Sequence, residues 1–273
     1  MRAISTVLDV AVFLLLVSAA VATLTLVPDE APEPVVVDER ADLLASSTAD
    51  VEYTVGTETR SAHGTTAALL ARGAVANATV DGQRLSGRHE EFVESVAEAS
   101  QRTLGPDNRT QIVVRWVPYR GAPLRGTLRV GPAPPPGRDV TVATLSVPAP
   151  VHRQGDRAAV AAREQGFRGV AGVAARATAD ALLPESSAAL PSSRVSPASA
   201  VVSERFATLA DATGVSVDGP LSRGNVSAVR ERIVEGLTAR YAADMRERYE
   251  TPRAAADAIQ VGTVRIALRR WAG

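Results

Sequence analysis

The chain has 273 residues and balances 30 basic against 30 acidic side chains, so its net charge marks it for neither a polyanion nor a polycation. It contains no cysteine, which excludes disulfides, thiolate metal sites and a cysteine nucleophile. A domain of about 200 residues buries around 70% of its unfolded surface, so a hydrophobic core alone can hold it together.

At the amino end, Val10 to Val27 is apolar or small hydroxyl at every position. A helix of about 24 residues from Ile4 would be roughly 36 Å long, against a hydrocarbon core of about 30 Å. The sequence therefore predicts a transmembrane helix within residues 1–27. Arg2 precedes it and Asp29, Glu30, Glu33, Asp38 and Glu39 follow, which orients the amino terminus to the cytoplasm and the rest outward. A cleaved secretory signal ending near Ala20-Val21-Ala22 is the competing reading.

Arg2-Ala3-Ile4-Ser5, set directly before the apolar run, resembles the class III signal peptide of archaeal type IV pilins and related surface proteins. The resemblance covers some 25 residues and implies a prepilin peptidase that cuts between Ala3 and Ile4 and leaves the helix on the mature chain. It also implies other membrane or pilus subunits, and membrane lipid, as partners of that helix. Many pilins carry a glutamate at the fifth mature position; here that position is Leu8, and the nearest acid is Asp9. An ionisable residue inside a membrane segment is a functional candidate by default, although so near the helix start Asp9 can also reach headgroup water. Every basic residue is arginine and none is lysine, a composition that together with this amino end resembles uncharacterised haloarchaeal membrane proteins. The neutral charge balance departs from the halophile habit and leaves an actinobacterial source open.

The three asparagines, Asn77, Asn108 and Asn225, each begin an N-x-S/T sequon, the pattern of an N-glycosylated surface protein. Residues 28–50, with Pro28, Pro32 and Pro34 among acids, read as an extended stem. Residues 51–273 read as an extracellular α+β domain with a small antiparallel sheet and several helices. A strand is predicted over 51–55, helices over 63–76 and 88–104, and three strands over 111–117, 126–130 and 139–147.

In that strand region Arg109, Arg115, Arg120, Arg125, Arg129 and Arg138 stand with Trp116 and Tyr119, and no acid falls between Asp107 and Asp139. Arginine for phosphates and rings for base stacking would suit nucleic acid. A solvated strand face over a buried tryptophan needs no partner, and nucleic acid is not expected.

Further on, an alanine- and glycine-rich helix is predicted over 155–183, a Ser/Pro-rich loop over 185–199, and helices over 200–212 and 225–249. In the last of these Val226, Val229, Ile233, Leu237, Tyr241, Met245 and Tyr249 form a winding apolar stripe that reads as core. Thr251-Pro252 predicts a capped helix start, and Thr263 to Leu268 alternates as a closing strand, with a helix nearly as good a reading. His63, His89 and His152 have no second ligand at metal-site spacing. Gly214-Val-Ser216-Val-Asp218 lacks the last glycine of a nucleophile elbow, and no phosphate-binding glycine loop is present. The expectation is a non-catalytic protein without metal or cofactor: a pilin-like minor or accessory component of a surface assembly, or an anchored surface glycoprotein that does not polymerise.

Overall fold

A computed structural model describes residues 35–55, 58–85, 90–105, 108–183, 197–223 and 225–272. Helix α1 spans Val35–Ser46, with Val37, Ala41 and Leu44 buried along one side. The stem expected over 28–50 is therefore corrected from residue 35 onward. The prolines end at Pro34, and proline is tolerated at a helix start because the first amides need no partner. Strands β1 (Thr48–Val55) and β2 (Glu58–Thr65) form an antiparallel hairpin in which Val51 faces Ala62. The helix expected from His63 begins only at Thr66, because residues 58–65 are strand and Thr65 caps the helix by accepting from the Ala68 amide.

Helix α2 (Thr66–Ala76) is the centre of the body, with Leu69 and Leu70 no more than 1% exposed. Nine of its eleven residues are buried, and Ala68 with the exposed Arg72, one turn apart, marks its open edge. Next come the short strands β3 (Ala78–Val80) and β4 (Gln83–Arg84), joined at Asp81 and Gly82, whose φ angles are 49° and 85°. Two successive positive φ values give the tight hairpin turn that matches strand twist. Helix α3 (Glu90–Leu104) turns Phe92, Val96 and Ala99 inward.

Strands β5 (Thr110–Trp116), β6 (Leu124–Val130) and β7 (Val140–Pro148) lie close to their predicted positions. The chain closes with β8 (Thr263–Trp271), so the strand reading of that segment prevails over the helical one. With β3 and β4 they form one antiparallel sheet of six strands in the order β4-β3-β6-β5-β8-β7, larger than the small sheet expected. Helix α2 is pressed against its inner face at Gly126, where an added Cβ would lie 2.1 Å from the Ala74 carbonyl oxygen.

The helical part comprises α4 (Gly155–Leu182), α5 (Pro197–Thr213), α6 (Asp218–Ser222), α7 (Val226–Arg248) and α8 (Pro252–Asp257). Helix α4 is broken at Gly166, where φ is 60° and ψ is −146°, a conformation open to glycine. Helix α5 starts at Pro197, inside the stretch read as loop; residues 184–196 lie outside the described residues. Along α7, Val229, Ile233, Leu237, Tyr241 and Met245 are at most 1% exposed, as a core stripe should be.

Among the described residues no helix is long and apolar enough to cross a membrane. The longest, α4, carries Asp156, Arg157, Arg163, Glu164, Arg168, Arg176 and Asp180. The expected architecture, one spanning helix followed by a domain, is thus corrected to an α+β body. The segment 1–27, where that helix was expected, lies outside the described residues.

Candidate functional site

The strand registers decide what the six-stranded sheet shows to solvent. Side chains alternate across a strand, so Ile112, Val114, Trp116, Leu128, Val264, Ile266 and Leu268 share the inner face, all of them buried. Their neighbours in sequence point the other way. On that outer face Arg115 sits directly opposite Arg265 on the adjoining strand, and across its other side Arg115 meets Thr127, which Arg125 and Arg129 flank two residues away on β6. All four arginines are exposed. None of their guanidinium groups has an ion pair or hydrogen bond to a described residue. Further along, the Arg269 guanidinium donates to the Gln111 side-chain oxygen at 3.1 Å, and Arg84 pairs with Glu90.

No aspartate or glutamate occurs in any of the six strands. The face is therefore uniformly cationic although the whole chain is neutral. Like charges directly opposite on adjacent strands destabilise a sheet, so Arg115 against Arg265 costs stability as the body stands alone. Further along the same face Val142 on β7, opposite Arg269, is 53% exposed.

The aromatic half of the expected constellation is absent from this surface. Trp116 and Tyr119 are fully buried; the Trp116 indole donates to the Val261 carbonyl at 2.8 Å, and the Tyr119 hydroxyl donates to Asp244 at 2.9 Å. Neither ring can stack on a base. The sequence pointed to Arg115, Arg125 and Arg129, but Arg265, some 136 positions beyond Arg129, joins them only through the β5–β8 pairing.

A concavity of about 1360 Å³ runs between α4 and α7. Gly169, Gly172 and Val173 face Val234, Thr238 and Ala242 across it, and an Arg230–Asp180 ion pair lies in its wall. Its arginines are interspersed with Asp180, Glu231 and Glu235, so it has no single sign.

Arg2, Ala3, Ile4 and Asp9 lie outside the described residues. Asn108 is exposed in the turn before β5. Asn225 is exposed at the start of α7, where its side-chain oxygen accepts from the Ala228 amide. Asn77 ends α2 half-buried, and its side-chain nitrogen, the atom a glycan would be joined to, donates to the Thr127 carbonyl at 2.7 Å. His63 meets Asp50 at 2.7 Å on the exposed hairpin, and His152 is exposed. No cluster of three or more metal-ligating side chains occurs among the described residues.

The model of a family of unknown function, DUF7284, matches residues 8–271, nearly the whole chain. The chain belongs to the DUF7284 family. No curated protein and no solved structure matches it. The stretch shared with DUF7284 runs from within the apolar amino-terminal segment to the end of β8, so it takes in all six strands of the arginine-bearing sheet.

Proposed function

We propose that the protein is a non-catalytic, pilin-like accessory component of a surface or secretion assembly, with its α+β body outside the cell as the docking part. The observation that carries the reading is the outer sheet face. An acid-free field of arginines, with Arg115 set against Arg265, is unfavourable in isolation and favourable against an acidic partner. The kind of assembly comes from the amino end, where Arg2-Ala3-Ile4-Ser5 stands directly before the apolar run. Prepilin peptidase would act between Ala3 and Ile4, and the apolar segment would then serve as the contact with lipid and with other subunits.

The exposed sequons Asn108 and Asn225 support an extracytoplasmic body, whereas the hydrogen-bonded amide of Asn77 is a poor acceptor in the folded protein. The intact mass and a peptide map of the protein isolated from its host test both statements. The expected species begins at Ile4 and carries glycan on Asn108 and Asn225 but not on Asn77. A mature chain that starts at Met1, or one trimmed near Ala22, would overturn the pilin-like reading.

A further inference from the structure

The arginine face has a counterpart on the same body. Helix α3 lies on the inner side of the sheet: Val96 and the β6 residue Leu128 both approach Gly73 of α2. On α3, Phe92, Val96 and Ala99 point toward the core, and Glu91, Glu94 and Glu98 are exposed. Spacings of three and four residues set these three carboxylates along one side of the helix, over about 10 Å. At 100° per residue that side is opposite the buried one, so the glutamates look away from the sheet. They have no ion pair or hydrogen bond to a described residue. The body thus carries a basic patch on the sheet and an acidic one on α3, the latter ending at Arg102 one turn beyond Glu98, with no excess of either charge overall.

We propose that the arginine sheet face docks the α3 glutamate face of a second copy of this chain, head to tail. The two patches match in extent as well as sign. Arg125 and Arg129 are four residues apart on β6, about 13 Å, with Arg115 and Arg265 between them on the neighbouring strands. Arginine forks pair with carboxylates in two-point contacts, which fix orientation. Because the two patches are different surfaces on opposite sides, each added copy leaves one of each unpaired. Such a contact extends into a row unless its rotation happens to close a ring. The fold itself permits this whether or not the amino end is processed, so the inference goes beyond the function proposed above.

Charge exchange tests it on the full chain, purified in mild detergent and followed by sedimentation over a concentration series at low and high salt. The wild type is expected to associate with rising concentration, and less so at high salt. Arg115→Glu with Arg265→Glu, or Glu94→Arg with Glu98→Arg, should each weaken association by roughly tenfold or more. Mixing these two variants, or combining all four substitutions in one chain, should restore it, which a folding defect would not. Should the β5–β8 pair fail to fold, judged by its thermal melt, Arg125→Glu with Arg129→Glu on β6 reverses the same face. A wild type that stays monomeric, a reversal without effect, or exchanges that fail to restore association would each overturn the proposal. So would association lost on reversing the arginines but kept on reversing the glutamates, since the partner would then be another acidic surface. Binding of the arginine face to anionic phospholipid vesicles without self-association would overturn it as well.

Discussion

Arg205 is 8% exposed and makes its hydrogen bonds to carbonyls: Leu182 at 2.9 Å and Ala76 at 3.1 Å. These are the last residues of α4 and α2, where unpaired carbonyls carry the negative end of the helix dipole. Burial lowers its pKa to about 10, with the neighbouring Glu204 acting the other way, so the guanidinium stays charged at neutral pH. One buried cation thus donates to a carbonyl at each of two helix ends. Arg205→Ala would strip both carbonyls of their donor at once, at a cost of about 2–4 kcal/mol. The expected result is a lower urea midpoint with an unchanged slope. Nothing in the local sequence S-E-R-F-A-T sets Arg205 apart from a solvated helix arginine, because its role depends on two carbonyls remote in sequence.

At the scale of elements, the segments the sequence made legible were those whose own pattern repeats. Strands β6 and β8 alternate because their inner residues are core, β5 and β7 show as runs rich in Val, Ile, Thr and Leu, and α3 and α7 keep a helical period because one side of each is buried. Thr251 caps α8 by accepting from the Ala254 amide, as its place before Pro252 suggested. Strand β2 was hidden because E-T-R-S-A-H-G-T has only Ala62 buried; its pairing with β1, not its side chains, makes it a strand. Helix α1 was hidden by the prolines before it, and only burial of Val37, Ala41 and Leu44 reveals its face. The arginine face was half visible, since its strands could be read but not the register that brings Arg265 to Arg115. The contact of α2 with β6 can be tested directly. In Gly126→Ala the new methyl would fall on the Ala74 carbonyl, and overpacking of this kind costs about 1–3 kcal/mol. Thermal melting should drop by several degrees, whereas Gly155→Ala at the start of α4, where no atom lies within 4 Å and φ is not positive, should lose less.

Across the whole body, the sheet is tied to the helices by a buried aromatic pair. Tyr119, in the loop after β5, meets Tyr241 of α7 edge to face at 5.0 Å and donates to Asp244, which also pairs with Arg248. Burial raises the pKa of both tyrosines above their ordinary value of 10, and for Tyr119 the Asp244 carboxylate adds to the rise. In the unfolded chain these hydroxyls ionise near pH 10, while the folded body keeps them protonated. Their contribution to stability is therefore intact below pH 10 and falls as pH climbs beyond it. Denaturant midpoints measured from pH 8 to 11 should hold level and then decline, and Tyr241→Phe should make the decline shallower.

Strand β7 closes one margin of the sheet, and its nine residues, V-T-V-A-T-L-S-V-P, include no charge. Proteins commonly defend such a margin with lysine, which this chain does not contain, so among the described residues the guard is the proline at its end. During refolding, before the rest of the body has closed, that ribbon is a template on which other molecules can stack strand upon strand. Preparations concentrated too early should therefore be lost as β-rich precipitate.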